Sequence, residues 1–288
     1  MDHSERYACL REAVNEELEK CFSGGGALAE AMRYSLLAGG KRIRPVLLLA
    51  FCEMSGEPAE RALPAACGLE MLHTYSLIHD DLPCMDDDDL RRGRPTCHKV
   101  YGETLAVLAG DALQAAAFSY VLRCDIPGER LAAMARTLAD AAGESGMCRG
   151  QALDTAPAAA IRTEDDLYVI HALKTGALLR AACVMGVQCA GGDGRMLEAA
   201  ASYAEHLGLA FQIRDDVLDE ISTTEVLGKP AGSDAGEGKT TFASLLGIGE
   251  CSRLVEKHTE LAIRSLEGAF PDTSFAEWLA RELASRQK

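Results

Sequence analysis

Two groups of aspartates lie far apart in this sequence, and their residue types suit metal chemistry. One is the stretch DDLPCMDDDD at 80–89, and the other is QIRDDVLDE at 212–220. Carboxylate oxygens are the hard ligands that Mg2+ prefers, and Mg2+ usually takes one or two carboxylates and completes its shell with water and phosphate oxygens. The two groups together therefore predict magnesium held between them and a substrate that carries phosphate.

Basic residues accompany the aspartates and fit an anionic substrate. Arg91, Arg92 and Arg94 directly follow the first group, and AGGKRIRP at 38–45 places three more cations just beyond a glycine helix stop. Such cations can bind an exposed oxyanion, although they can equally complement the dipole of the preceding helix. Lys174, in the apolar stretch HALKTGALL, needs a counter-charge, which an anionic ligand would supply.

The second aspartate group has the spacing of a helix face. Gln212, Asp215, Asp216 and Asp219 stand at positions i, i+3, i+4 and i+7, which predicts one stripe along a helix. Carboxylates one turn apart repel, so the stripe requires either a bound cation or a solvated face. The apolar residues around it favour a helix that faces inward, where buried acids usually have a metal or a partner.

The first aspartate group is less regular. Pro83 lacks a backbone donor and should distort or end the helix that carries His73 and Asp80 on one face. An EF-hand loop would need glycine at its sixth position and glutamate at its twelfth, and Met85 and Arg91 stand there instead. We therefore expect Asp86 to approach Asp80 from a distorted turn rather than from a calcium loop.

The elements that position these residues are predicted to be helices. Only 5% of the residues are aromatic, and β-branched runs with period-two alternation are rare, so the fold class is predicted to be all-α. A chain of 288 residues fits a single helical domain spanning 1–288. The longest loop-like stretch, at 228–238, is framed by Lys229 and Lys239 and suits either a mobile lid or an ordinary surface loop.

Charge and cysteine content limit the possible partners and location. The formal net charge of −15 argues against nucleic acid or an anionic membrane as a partner, because both require a basic surface. The eleven cysteines lack CxxC pairs, and the acidic N-terminal stretch lacks an apolar signal core, so we expect reduced thiols in the cytoplasm. Charge or glycine interrupts the apolar stretches before about 20 residues, so no membrane span is expected.

The motifs resemble those of the trans-isoprenyl diphosphate synthases, and bacterial short-chain farnesyl diphosphate synthases in particular. The resemblance runs from 39 to about 246, and its motifs occur in the expected order: GGKRIRP, DDLPCMD followed by DLRRGRPTCHK, HALKTGALL, FQIRDDVLD and GKPAGSDAGEGKTT. It implies a helical bundle around a central active-site cavity, and a homodimer. Two departures from the family pattern are Arg149 and Arg214, and we expect Arg214 on the outer face of its helix.

The resemblance also implies roles for individual residues, with three Mg2+ ions bound. The direct metal ligands would be Asp80, Asp86 and Asp215. The residues holding the ligands and hydrated ions in place would be Asp81, Asp216 and Asp219. The catalytic and binding residues around an allylic diphosphate would be Arg91, Lys174, Thr175, Gln212, Lys229 and Lys239. The residues binding isopentenyl diphosphate would be Lys41, Arg44, His73 and Arg92.

The reaction implied is ionisation of the allylic diphosphate, attack of the isopentenyl double bond on the carbocation, and loss of a proton. Tyr75 and Ser76, about one helical turn before Asp80, would limit the product to the fifteen carbons of farnesyl diphosphate. A geranylgeranyl or geranyl diphosphate synthase of the same family stays open. A terpene cyclase would have no use for Lys41, Arg44 and His73 together, because it binds no isopentenyl diphosphate. A noncatalytic subunit would typically lose one aspartate motif, and both motifs are present in this sequence.

Overall fold

The computed structural model describes residues 1–155, 163–221 and 240–286 and is built almost entirely of helices, which confirms the predicted all-α class. The first elements are α1 His3–Glu19, α2 Ala27–Leu36, α3 Ile43–Met54, a 3-10 turn Ala59–Ala62 and α4 Leu63–Asp80. Helix α4 ends at the first aspartate group. The middle helices are α5 Cys97–Tyr101, α6 Glu103–Val121, α7 Gly128–Ala142, α8 Met147–Asp154 and α9 Glu164–His171. The remaining elements are a π-helical turn Ala172–Gly176, α10 Ala177–Ala190, α11 Gly194–Ile221, α12 Phe242–Ser265 and α13 Ser274–Ser285.

The β-structure within the described residues is one small hairpin beside the first aspartate group. Strand β1, Leu90–Arg91, pairs antiparallel with strand β2, Arg94–Pro95. Gly93 takes a positive φ of 72° in the turn between them, a conformation that glycine adopts without strain. The hairpin places Arg91 against Asp81, the C-cap of α4.

Apolar faces of α3, α4, α10 and α11 form the core. Phe51 of α3 and Tyr203 of α11 are fully buried and their rings lie 5.3 Å apart. Gly186 lets α10 approach α3 closely, since a Cβ at this position would collide with the backbone oxygen of Leu48. This close packing fixes α4 and α11, which carry the two aspartate groups, on a common scaffold.

Two helical segments among the described residues, Glu103–Val121 and Glu164–Ala190, are long and apolar enough to cross a membrane by length and composition. Charge or glycine does interrupt both segments, at Gly110 and Asp111 in the first and at Lys174 and Arg180 in the second. Length and composition do not distinguish a span from a core helix. In this fold α6 packs on α4, and α10 packs on α3 and α11, which is the environment of core helices.

Candidate active site

The first aspartate group lies where α4 ends. Asp80 is the last residue of the helix and Asp81 is its C-cap, so the helix stops shortly before Pro83, as predicted. The backbone N–H of Asp86 donates to the carbonyl of Asp80 at 2.9 Å, which folds the following turn back over the helix end. Asp80 is half-buried, Asp81 is buried and Asp86 is exposed. The turn therefore brings Asp86 next to Asp80, as the distorted turn predicted.

The two carboxyl groups at the end of α4 are partly removed from water. Burial raises the pKa of Asp80 to about 6, although the charge of Lys174 opposes this shift. Burial also raises the pKa of Asp81 to about 6, even though the Nε of Arg91 donates to its Oδ1 at 2.5 Å. A buried carboxylate that is this costly to ionise is stabilised by an added cation, so the site favours a bound positive ion.

Lys174 projects from the π-helical turn, a rare element that the sequence did not reveal. Its Nζ donates to Oδ2 of Asp154, the last residue of α8, at 2.5 Å. Gly150 makes this approach possible, since a Cβ there would collide with the backbone nitrogen of Lys174. The counter-charge for Lys174 is thus a side chain, whereas the sequence suggested an anionic ligand. Thr175, on the same turn, is half-buried.

The second aspartate group lies on one helix, α11, as its spacing predicted. Asp216 is buried and its Oδ2 accepts a hydrogen bond from the backbone N–H of Phe242, the first residue of α12, at 2.8 Å. Asp219 is also buried, whereas Asp215 and Gln212 are half-buried. Asp215 is therefore the most accessible of the three carboxylates and is the one suited to a metal ligand.

A left-handed turn after α2 carries the first basic residues. Arg42 has a φ of 54° and is buried, with its guanidinium 2.6 Å from Oε1 of Glu70 and 2.8 Å from the carbonyl of Leu36. Removing either member of such a buried pair leaves an uncompensated charge. The pair fastens the turn to α4, and the neighbouring Lys41 and Arg44 are thereby held on either side of Arg42.

Arg44 and His73 meet beside this turn and form a basic site. The Nη1 of Arg44 lies 3.4 Å from Nε2 of His73, and its buried Nε has no hydrogen-bond partner among the described residues. Burial lowers the pKa of His73 well below its usual value, and the charges of Arg44 and Arg92 lower it further. Arg92 packs against Gly40 and donates to the carbonyl of Gly39. An anion would fit here, because a neutral imidazole adds a donor and two guanidiniums add charge.

Tyr75 lies on α4 near the predicted end of the substrate tail. The ring is buried, and its hydroxyl lies 3.7 Å from Sγ of Cys148 on α8. The same ring meets that of His79 edge to face at 5.6 Å. Ser76, in contrast, turns its hydroxyl back to the carbonyl of His73 at 2.9 Å. The ring of Tyr75 thus fills space between α4 and α8. The smaller side chain of Ser76 does not reach α8, because its hydroxyl is bonded within α4.

The carboxylates fit magnesium better than a metal that requires a closed cage. Within 1–155, 163–221 and 240–286, no three acidic, histidine or cysteine side chains converge on a common metal position. Mg2+ needs no such cage, since it keeps several waters and uses one or two carboxylates with phosphate oxygens. Asp80 and Asp215 are half-buried and Asp86 is exposed, so all three carboxylates are accessible to such a hydrated ion.

The predicted residues form two groups, the basic site around Arg44 and His73 and the carboxylates at the end of α4, and Arg91 interacts with both. Its charge acts on His73 in the basic site and on Asp80 at the end of α4. Asp215 acts in turn on Lys41 and Arg44. Lys229 and Lys239 lie outside the described residues.

Sequence reasoning missed two residues of α8 and placed one arginine wrongly. Asp154 and Gln151 both lie in the GQALD stretch beside Lys174, and the buried side-chain amide of Gln151 has no hydrogen-bond partner among the described residues. Their polar side chains within the GQALD stretch were the sequence signal that could have identified them. Arg214 was expected on the outer face of its helix, but it is half-buried and donates twice to the backbone carbonyl of Arg286. A contact with the opposite end of the chain has no local signal.

Known proteins resemble this chain in sequence and in fold. Residues 26–267 match the polyprenyl synthetase family. The chain is 43% identical over 286 residues to the farnesyl diphosphate synthase of Geobacillus stearothermophilus, covering 98% of this chain and 96% of that one. It is 44% identical over 278 residues to the geranylgeranyl diphosphate synthase of Cyanophora paradoxa, covering 93% of each. The solved structure of geranylgeranyl pyrophosphate synthetase from Pyrococcus horikoshii Ot3 has a TM-score of 0.89 at 31% identity, covering 98% of this chain and 99% of that chain.

Proposed function

We propose that this chain, which belongs to the polyprenyl synthetase family and is a short-chain trans-prenyltransferase, makes farnesyl diphosphate. Its substrates would be isopentenyl diphosphate and an allylic diphosphate, dimethylallyl or geranyl. The observation that carries the proposal is a basic site beside two groups of aspartates: Arg44 and His73 suit one diphosphate directly, and the aspartates suit a second diphosphate through metal ions. A terpene cyclase binds a single diphosphate and would leave the basic site without a use.

The allylic diphosphate would lie between the aspartate groups. Mg2+, when bound by Asp80, Asp86 and Asp215, supplies positive charge that neutralises the leaving diphosphate. Three such ions are proposed, as in the family resemblance. Lys174 and Arg91 would donate to the diphosphate oxygens that gain charge as the allylic carbon–oxygen bond breaks. Their present partners, Asp154 and Asp81, hold both cations at the rim of the site.

Isopentenyl diphosphate would be held by Lys41, Arg44, His73 and Arg92. These residues would fix its double bond next to the allylic carbon, so that a new carbon–carbon bond forms once the carbon–oxygen bond has broken and left a carbocation. The proton lost in the last step would pass to an oxygen of the released diphosphate, as the family resemblance implies. The half-buried His73, whose lowered pKa keeps it neutral, would serve as a hydrogen-bond donor rather than as this base.

Product length is the finer part of the proposal. A buried Tyr75, fixed against Cys148, would stop the growing tail at fifteen carbons. The alternative is a geranylgeranyl product, and it is favoured by the similarity to the Cyanophora paradoxa enzyme at 44% identity. Similarity to enzymes of both kinds does not choose between them, so the tyrosine is the observation on which the farnesyl assignment rests.

The setting of the enzyme is also part of the proposal. We place it in the cytoplasm as a homodimer of a single domain, 1–288. Eleven free thiols, most of them buried, suit a reducing compartment. Val107 and Leu108 are adjacent exposed apolar residues on α6 and could be covered by a second copy.

Product analysis tests the proposal. Purified protein is incubated with Mg2+, labelled isopentenyl diphosphate and each allylic starter in turn, and the dephosphorylated products are sized by mass spectrometry. Fifteen carbons from both dimethylallyl and geranyl diphosphate is the expected result. A twenty-carbon product would replace the farnesyl assignment, and no condensation with any starter would contradict the prenyltransferase itself.

Replacing Tyr75 by alanine should lengthen the product. Loss of the ring opens space between α4 and α8, so a fifteen-carbon tail can continue for at least one more isoprene unit. The matched control is Tyr75→Phe, which keeps the ring and removes only the hydroxyl that meets Cys148. The control should retain the wild-type product, and an unchanged product from Tyr75→Ala would show that another residue sets the length.

A further inference from the structure

Arg286, the residue that follows α13, inserts its side chain at the second aspartate group. One guanidinium nitrogen lies 2.6 Å from Oδ1 of Asp215 and 3.0 Å from the carbonyl of Phe211. The guanidinium also stacks on the ring of Phe211, with 3.7 Å between its central carbon and the ring centroid. The side chain of Arg286 is 10% exposed, whereas that of Asp215 is 43% exposed. A cation from the end of the chain thus covers one side of the carboxylate proposed to bind metal.

Arg214 holds this arrangement in place. Its Nε and Nη2 donate to the backbone carbonyl of Arg286 at 3.0 Å and 2.6 Å. Because Arg214 directly precedes Asp215 on α11, it anchors the backbone of Arg286 one residue away from the carboxylate that the Arg286 side chain binds. The otherwise unexplained arginine of the QIRDD motif therefore has a defined partner.

A guanidinium and a metal ion compete for the same oxygen of Asp215. Mg2+ binds a carboxylate oxygen at about 2.0–2.1 Å, which would place it against the guanidinium nitrogen that now lies on Oδ1. Two cations at that separation repel strongly in a half-buried site. Lys41 adds to the repulsion, since the charge of Arg286 acts on it.

We propose that Arg286 is the counter-ion of Asp215 when no metal is bound, that a divalent cation must displace it, and that Arg214 is its positioning residue. The displaced guanidinium stays near the site, because Arg214 still holds the backbone carbonyl of Arg286. This inference rests on the proposed function, in that Asp215 must be a metal ligand. It adds that assembly of the metal site is coupled to the C-terminal end of the chain.

The test is the affinity for Mn2+ in the absence of substrate, measured by the electron paramagnetic resonance signal of the free ion. Arg286→Gln removes the competing cation, and the Kd for Mn2+ should fall about threefold to tenfold. The effect should disappear in the Asp215→Asn background, because a double-mutant cycle isolates the interaction between the two residues. Arg281→Gln is the matched control: it removes one positive charge from α13 whose partner is Glu260, and should leave the Kd unchanged.

Arg214→Gln provides an independent variant that leaves both Arg286 and Asp215 intact. Loss of its two hydrogen bonds should loosen Arg286 and lower the Kd in the same direction by a smaller factor. An unchanged Kd in both Arg286→Gln and Arg214→Gln, or an equal decrease in the Asp215→Asn background, would overturn the competition while leaving the proposed function standing. Wild-type affinity in Asp215→Asn alone would show that Asp215 takes no metal, and would contradict both the competition and the proposed role of Asp215 as a metal ligand.

Discussion

The two aspartate groups differ in where their partners come from. In the first group Asp81 pairs with Arg91, ten residues further along the chain. In the second group Asp216 accepts a hydrogen bond from Phe242, 26 residues away, and Asp215 pairs with Arg286, 71 residues away. The first group is organised by its own turn, and the second is complete only when the last helices have packed. Half of the proposed metal site therefore depends on long-range folding.

The same difference appears in the solvation of the carboxylates. Asp80 lies in a partly buried turn that raises its pKa to about 6, so ionisation there is costly without a cation. Asp215 is 43% exposed and already has a cation beside it. The first group thus needs an added cation for Asp80 to ionise, whereas Asp215 of the second group already has the guanidinium of Arg286, which a metal ion would have to displace.

Removal of either metal ligand is the largest expected effect. Asp80→Ala and Asp215→Ala should each lower kcat about a thousandfold, because each removes charge stabilisation of the same leaving group. Steady-state kinetics of the double variant sharpen the comparison, since residues that act as a unit give losses that do not add. Asp89→Ala is the control, because Asp89 is exposed and pairs with Lys99. Fully additive losses would mean that the two groups work separately.

The anchor of the basic turn that carries Lys41 and Arg44, which also packs on α4, can be tested through stability. Glu70→Ala should lower the free energy of unfolding by about 3 kcal/mol, because Arg42 would be left as a buried charge without its carboxylate. Urea denaturation measures this loss, and the KM for isopentenyl diphosphate should rise as Lys41 and Arg44 lose their anchor. Glu57→Ala removes an exposed ion pair with Arg61 and should cost less than about 1 kcal/mol. Equal costs for the two variants would contradict the assigned role of Glu70.

The packing of α12 on α11, which completes the second group, should become less stable at acidic pH. His258 of α12 is buried, and its Nδ1 lies 3.1 Å from that of His206 on α11, with Lys257 and Glu205 close by and the ring of Tyr168 facing it. Burial, together with the charges of His206 and Lys257, lowers the pKa of His258 to about 4. The folded protein then binds fewer protons than the unfolded chain between about pH 6.5 and 4.

Stability from this histidine is complete above about pH 6.5 and is lost as the pH falls toward 4. Between pH 7 and 5 the loss should be on the order of 2 kcal/mol, measured by urea denaturation at each pH. His258→Gln should reduce the total dependence by about this amount and leave the part that comes from His73 and His171, whose pKa values are also lowered. His3→Gln, at a histidine that contacts Phe275 and Trp278 instead, should retain the total dependence. An identical pH dependence in the wild type and His258→Gln would show that other groups are responsible.

Local sequence signals predicted much of the fold and of the first group. The low aromatic content and helical spacing indicated an all-α chain, Pro83 marked the end of α4, and the i, i+3, i+4, i+7 spacing placed the second group on one helix. Each of these features depends on residues within a few turns of one another. Local physical rules are therefore sufficient for them.

Features that depend on distant contacts could not be predicted. Asp154 meets Lys174 only because a π-helical turn packs against Gly150, and no periodicity in HALKTGALL indicates that turn. Arg214 looked like an outward-facing residue because its partner, the carbonyl of Arg286, belongs to the far end of the chain. Such contacts are decided by tertiary packing rather than by local preference.

The central claim is that both aspartate groups bind metal ions for one diphosphate. Its most direct test is the binding of inorganic diphosphate in the presence of Mg2+, measured by isothermal titration calorimetry in the wild type, Asp80→Asn and Asp215→Asn. Mg2+-dependent binding in the wild type that is lost in each single variant is the result that we predict. Wild-type affinity in either variant, or equally tight binding with EDTA in place of Mg2+, would contradict a metal site shared by the two groups.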